Sequence, residues 1–597
     1  MTFRHTSRRK LVIGAMVAAL LFLAILGALA LRDAVSLRSQ AAEAIKALSR
    51  VEHDPNVLTT HEGRISVERD LDTARRIAEQ SAMAIDQSFS LSVIGAIPYL
   101  GRATHGAKEL ATDAATTATL LSGIVNDADA VVRQSSDHRI DWEKLPQLIA
   151  DATSTSTSLR QLLDHGKGLW GPVGAKRSIF TTAVRSLANR LDDVAAGGKL
   201  GASLLGANHP SRVLVLAANN AEMRAQGAFL SYALLDFHHG SITHVTTGSL
   251  SELERSIALA SSPPTAQMFV NNGATRLWSA INMTANFSWT GHVAAEKLHA
   301  TLGFRPDFVV GVDVVTLQEL LGAVGSVKVS SLREPLTKSN VATVLLKSLY
   351  ERFTPDQRTK RLEVLSQVIA AAIGKAVEPT TNPVSVTRSF ARAIGGRHLL
   401  LWSTDPAAQA AIRELNASGE LDQHHRDVTF SVAVEAAVAA KMDAFDVHCS
   451  TSYKVVVAPD RSAMVDLAVT IANDAPRNLR PGSYIYGPDG WNAHQPGEYL
   501  ANVFVWTPLG SAQQGAPIDG GLELRATSVD LLPGKSAVVH FYSHLKASVD
   551  GRVRLRLVPQ PRLFPTQTNV TVVDGNQSKT WSFPLASTQE LLLRGKR

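Results

Sequence analysis

One cysteine, Cys449, stands among 597 residues, so no disulfide can form within the chain. Small secreted eukaryotic domains depend on such bridges, whereas exported bacterial proteins commonly lack them. Aromatic residues make up only 6% of the chain, which leaves few stacking platforms for bases or sugars. The net charge of +7 is small for this length and no long Lys/Arg run carries it, which argues against a nucleic-acid partner. The same mild excess suits an acidic surface polymer or anionic lipid head groups. Also missing are Gly-x-Ser-x-Gly, His-Glu-x-x-His and a phosphate-binding glycine loop before Lys-Ser/Thr. His238-His239 and His424-His425 do not make metal sites, because adjacent strand residues face opposite ways and no carboxylate lies at ligand spacing. Cys449 has only His448 beside it, on the other face by alternation, and reads as an inert buried thiol.

Hydrophobic residues reach 45% and charged residues 19%, a globular composition, and the length calls for several modules. Leu11 to Leu31 is a run of 21 uncharged residues, enough helix to cross a ~30 Å hydrocarbon core. Arg4, Arg8, Arg9 and Lys10 precede it, which predicts a cytoplasmic tail over 1–10, a membrane anchor over 11–31 and an extracytoplasmic remainder. The rival is a cleaved signal peptide with Ala28-Leu29-Ala30 as its processing site; the length of the run favours a retained, single-pass anchor.

Residues 34–205 read as an α-helical hairpin stalk. Leu110, Ala114, Thr117, Leu121, Ile124, Ala128 and Val131 recur at steps of four and three, as do Val184, Leu187, Leu191 and Val194. Breaks fall at Ile97–Gly101, Asp137–Asp141 and Gly166–Val173. The stalk serves either as a spacer or as a partner-binding bundle.

Residues 210–405 alternate strands with helices and read as an α/β domain. Expected strands are Val213–Leu216, Phe229–Phe237, Ile242–Val245, Phe308–Val312, Val327–Val329 and His398–Trp402. Expected helices are His292–Leu302, Val315–Val324 (capped by Asp313 and closed by Gly325), Thr337–Phe353 and Pro355–Val377. Residues 425–590 carry seven or eight short alternating strands with Pro/Gly/Asp turns, the pattern of an immunoglobulin-like β-sandwich.

The chemistry-bearing stretch is Arg212 to Gly227. A buried strand there ends in a polar knot of Asn219, Asn220, Glu222, Arg224, Gln226 and Gly227. Two readings compete for it: a turn whose side chains satisfy backbone groups, or a phosphate or sugar site at a strand end. Arg358, Lys360 and Arg361 are a solvated helix start or, with Arg358 and Arg361 three apart, a phosphate fork. Asn286 and Trp289 belong to the core or bind sugar.

Asn219-Asn220-Ala221-Glu222-Met223-Arg224 followed by Gly227-Ala228-Phe229 resembles the signature of the bacterial domain-of-unknown-function 4012 (DUF4012) family, with Ala228 where a second glycine is usual. Ile97–Gly101, Asn286-Phe287-Ser288, Gly311-Val312-Asp313, Leu320–Val327, Gln409, Lys441-Met442-Asp443 and Pro508-Leu509-Gly510 agree in order. More distantly, Phe308 to Val329 resembles the LytR-CpsA-Psr phosphotransferases, which move glycopolymers from polyprenyl-pyrophosphate carriers to the cell wall. Asp356–Arg361 is similar to their pyrophosphate-holding helix, whereas Val245–Leu250 lacks the Arg and Asp of their Pro-Arg-Asp motif. That resemblance implies a membrane-anchored envelope protein that binds, or transfers, a polyprenyl-phosphate-linked cell-wall polysaccharide. Glu222 and Arg224 would be catalytic, with Glu222 a base or a ligand of magnesium, the candidate cofactor. Asn219, Asn220, Asn286, Arg358, Lys360 and Arg361 would bind the ligand. The alternative is a non-catalytic scaffold for envelope polysaccharide assembly.

Overall fold

Apolar side chains at helical spacing close the helices between His61 and Leu204 around a core of their own. The computed structural model describes residues 61–87, 98–132, 141–166, 169, 171–255, 257, 265–376, 378, 381–421, 428–437, 441–481, 483–487, 495–511, 515–546 and 553–593. The expected anchor at 11–31 lies outside these; among the described residues no helix is long and apolar enough to cross a membrane. The chain divides into two compact units, residues 7–202 and 203–597.

Among the described residues of the first unit, four α-helices form a bundle: His61–Gln87 (α1), Pro98–Val132 (α2), Leu145–Gln161 (α3) and Gly171–Leu204 (α4). Val67, Leu71 and Ala74 of α1, Leu110, Ala114 and Leu121 of α2, Ala152 and Leu159 of α3, and Phe180, Val184, Leu187 and Leu191 of α4 share one core. Val194, expected on that stripe, is exposed, and Ala195 takes the buried place. A helix of 3.6 residues per turn drifts off a strict seven-residue repeat, so the stripe moves by one position.

In the second unit the strands Ser211–Asn219 (β1), Ala228–His238 (β2), Ser241–Ser249 (β3), Phe308–Val312 (β4) and Leu399–Ser403 (β5) make a mixed sheet in the order β3-β2-β1-β4-β5. β1 runs antiparallel to β2 and parallel to β4. The helices are Gln267–Asn271 (α5), Phe287–Leu302 (α6), Val314–Val324 (α7), a composite of Val341–Thr343, a π turn Val344–Ser348 and Leu349–Arg352 (α8), Arg358–Ala376 (α9), Pro383–Gly395 (α10) and Pro406–Glu414 (α11). Asp313 caps α7, accepting from the N–H groups of Val315 (2.9 Å) and Thr316 (3.1 Å). Three expectations change here. Val327–Val329 is not a strand but a single bridge, Val327 to Leu336, because no neighbour continues the ladder. The helix expected from Thr337 starts at Val341 and contains the π turn. The helix expected from His292 starts at Phe287, one residue after Asn286.

Eleven further strands follow. They are Thr429–Ala436 (β6), Val447–Val457 (β7), Ala463–Asn473 (β8), Tyr499–Thr507 (β9), Ile518–Asp519 (β10), Leu522–Leu531 (β11), Lys535–Leu545 (β12), Val553–Val558 (β13), Gln567–Asp574 (β14), Gln577–Pro584 (β15) and Gln589–Leu593 (β16). They form two sheets, β10-β11-β9-β6-β13-β16 and β12-β8-β7-β14-β15. Alternate residues of β7, β8 and β9, among them Tyr453, Val455, Leu467, Tyr499 and Val503, fill the core between the sheets. Besides this core of their own, the strands share a second one with the α/β sheet. Phe504 and Trp506 of β9 and Leu524 of β11 bury against Phe269, Trp278 and Trp289 in one cluster with the α/β sheet. Each such side chain contributes about 1.5–3 kcal/mol by burial.

Candidate functional site

The apolar residues of β1 bury the strand between β2 and β4, so its polar end is delivered to a fixed place. A register shift between Ala217 and Ala218 turns the chain, and Asn219 pairs with Ala228. Between them the knot folds on itself: Glu222 N–H donates to Asn219 O (3.2 Å) and Ala228 N–H to Glu222 O (2.8 Å). Gly227 sits at φ +85°, where a Cβ would lie 3.2 Å from both Ala218 Cβ and Asn219 O, so glycine is required. Ala228 is buried, and its methyl packs with Leu230 and Leu362, which occupies the space a second glycine would leave.

The side chains of the knot point into the junction of the α/β sheet and the β-sandwich. Asn219 Nδ2 donates to Glu222 Oε1 (2.9 Å) and Tyr350 Oη (2.6 Å), and its Oδ1 accepts from Ala221 N–H (3.1 Å). Asn220, fully buried, donates from Nδ2 to Asp313 Oδ2 (2.9 Å) and Pro561 O (3.0 Å) and accepts from Val314 N–H (3.3 Å). Met223 N–H donates to Asp443 Oδ2 (2.9 Å). Arg224 Nη1 donates to Met223 O (3.0 Å) and Ala436 O (2.7 Å). Gln560 Nε2 returns from the far side to Arg224 O (2.8 Å) and Val434 O (3.0 Å). Three segments distant in sequence are thereby tied at one point.

Glu222 is the electrostatic centre. Its Oε2 lies 3.0 Å from Lys441 Nζ, and its Oε1 accepts from Tyr350 Oη at 3.1 Å. Burial raises its pKa, but Lys441, by charge and hydrogen bond, with Arg361 and Arg224 behind it, outweighs burial and holds the carboxyl below its usual value. Burial, with the Glu222 charge beside it, pushes Tyr350 well above the ordinary phenol range, so the phenol stays a donor. Arg361 is 1% exposed, with its Cζ 4.2 Å from the centre of the Tyr350 ring and 5.9 Å from that of Tyr484. Asp443 accepts from Tyr499 Oη at 2.5 Å, and burial raises its pKa despite nearby Arg562.

The structure brings Asn219, Asn220, Glu222, Arg224 and Arg361 together and leaves the other expected ligand residues apart. Arg358 and Lys360 are exposed at the start of α9, while Arg361 is buried. Three residues along a helix turn about 300°, and that step crosses the edge between the solvent face and the packed face of α9. The expected Arg358/Arg361 fork is therefore split by burial. Asn286 precedes α6, packed against Gly520, and Trp289 is wholly buried with no ring face open to a sugar. The groups that reach Glu222 are an ammonium, an amide and a phenol; this donor set does not fit a divalent metal, since the ammonium repels it and the other two donate. Among the described residues, no group of three or more His, Cys, Asp or Glu side chains is placed to hold a metal ion. Tyr350, Gln560 and Arg562 belong to the site without any sequence signal. Lys441 and Asp443 do have one, the Lys441-Met442-Asp443 triplet.

Comparison with known proteins adds a family and little else. No curated protein matches the chain. One solved structure, protein gbs0355 from Streptococcus agalactiae, is 14% identical over 35% of this chain and 74% of its own, with a TM-score of 0.21, too low to carry an argument. Residues 208–350, from just before β1 through Tyr350, match DUF4012, a family described as a protein of unknown function. The matched segment holds the whole knot, the Asp313 cap and Tyr350, and over these residues the chain is similar to the DUF4012 family.

Proposed function

We propose that the chain is a membrane-anchored, extracytoplasmic scaffold for envelope polysaccharide assembly and that it acts without catalysis. The observation that supports this reading is the internal use of the knot. A general base or nucleophile needs a lone pair within reach of a reacting atom. The Glu222 carboxylate is instead engaged by Lys441, Asn219 and Tyr350, and Arg224 by the carbonyls of Met223 and Ala436. The envelope location rests on the basic, then apolar, N-terminal 31 residues.

A second reading is the binding, with or without transfer, of a polyprenyl-phosphate-linked glycopolymer. One observation favours it: Lys441, Arg361 and Arg224 all act on the single carboxylate of Glu222, and the buried Arg361 Nε has no hydrogen-bond partner among the described residues. Such a surplus of cationic donors suits pyrophosphate. The two readings separate when detergent-solubilised full chain is titrated with a polyprenyl pyrophosphate, with and without magnesium. The scaffold reading expects no saturable, magnesium-dependent binding. Micromolar binding that weakens about tenfold in an Arg224→Ala variant shown to be folded would replace it with the second.

A further inference from the structure

A cavity of ≈ 380 Å³ opens in the helical bundle, lined by Leu163, His165, Gly166, Leu169 and Gly174 and by the first half of α4. Its α4 wall is polar: Arg177, Ser178, Thr181, Thr182 and Arg185 line it, three hydroxyls between two guanidiniums. Ser178, Thr181, Thr182 and Arg185 fall at steps of three and four, which sets them on one stripe of the helix. The volume lies within the range of small-molecule sites.

The charge balance in this cavity is lopsided. Asp113 is the acid beside it, and its carboxylate is already committed. Oδ2 receives Arg177 Nη1 at 2.5 Å, and Oδ1 lies 2.9 Å from His165 Nδ1. Arg177 Nη2 is spent on Leu162 O (2.5 Å). Arg177 is 4% exposed, yet its Nε is buried without a hydrogen-bond partner among the described residues. That Nε lies against Gly166, whose Cβ, if present, would stand 3.1 Å from it, and Gly166 lines the same cavity. Arg185 is exposed at the cavity's edge and faces no carboxylate among the described residues. An Arg locked in place by a buried acid, a second Arg at the rim and hydroxyl donors between them form a preset array of donors for an anion. Leu163 and Leu169 add apolar lining.

We propose that this cavity binds a phosphoryl group, with Arg177 as the fixed anchor, Arg185 as the closing cation and Ser178 and Thr181 as hydroxyl donors. The site goes beyond the scaffold reading and does not depend on it. A phosphoryl group could arrive as free phosphate or on a lipid head group, and the test separates the two. Full chain in detergent is titrated calorimetrically with inorganic phosphate and, separately, with the soluble dihexanoylphosphatidic acid. Arg177→Ala would take the guanidinium from the buried Asp113 carboxylate and destabilise the bundle, so Arg185→Ala is the variant to use, with Arg185→Lys beside it. The expected result is saturable binding of at least one probe, weakened about tenfold in Arg185→Ala and less in Arg185→Lys, which keeps the charge without the fork. Binding of dihexanoylphosphatidic acid alone assigns the source to lipid; binding of both, or of inorganic phosphate alone, assigns it to the phosphoryl group itself. Binding of neither probe, or affinities unchanged in a folded Arg185→Ala, overturns the proposal.

Discussion

Asn220→Ala is the most informative substitution at the knot. The wild-type side chain makes three hydrogen bonds from a fully buried position, to Asp313, Pro561 O and Val314 N–H. Truncation leaves Asp313 well served, since Val315 and Thr316 N–H and His398 Nδ1 (2.6 Å) still reach it. Pro561 O and Val314 N–H lose their Asn220 partner inside the protein. Each stranded buried polar group costs about 1–3 kcal/mol, so about 2–6 kcal/mol is expected in total. Asn220→Asp keeps the shape but turns a carboxylate toward Asp313, and is expected to cost more than alanine. The assay is urea unfolding of the full chain followed by tryptophan fluorescence, since Trp278, Trp289 and Trp506 are buried in the second unit. A lowered midpoint at constant slope is the expected signature. A loss under about 0.5 kcal/mol for alanine, or an aspartate variant as stable as wild type, would refute the view of Asn220 as a structural tie.

Three further outcomes are expected. Glu435 is buried on β6, and burial, above the opposing pull of Arg224 and the Ala225 N–H, holds its carboxyl well above the usual range. A raised folded-state pKa contributes stability that is full below the unfolded value and is lost as pH rises through the folded one. Glu435→Gln should therefore flatten the decline of the urea midpoint with rising pH, and an unchanged slope would contradict this. Gly227→Ala forces a Cβ into positive φ and against Ala218 and should destabilise by at least about 1 kcal/mol, measured as the same midpoint. Arg358→Ala/Lys360→Ala, both exposed, should stay within about 0.5 kcal/mol of wild type; a larger loss would mean that the start of α9 is packed rather than solvated.

Local pattern made some of this chain legible before its structure. Period-two alternation marks β7, β8, β9 and β11, because a strand with one face in a core must alternate. The Asp313 cap and the Gly325 stop of α7 follow from the demands of helix ends. The two-residue β10 and the edge strands β15 and β16 were not readable. β15 is mostly exposed and β10 is two residues long, so both are set by hairpin pairing with β14 and β11, and β16 is held by pairing with β13 rather than by a pattern of its own. The knot divides the same way. Its residue types and its turn are visible in sequence, for Asn, Glu, Arg and Gly in nine positions announce a polar bend. Whether Glu222 is free or engaged was decided by Lys441 and Tyr350, which lie 219 and 128 positions away and meet it only in the tertiary structure. Likewise, helical spacing set Arg358 and Arg361 one turn apart, but only packing against Tyr350 and Tyr484 decided that one would be buried and the other left in water. Sequence by itself determined which local geometries the backbone adopts, since those depend on neighbours within a few residues. Tertiary structure alone decided which polar groups have spare valence, since desolvation and partnering come from residues far apart in the chain.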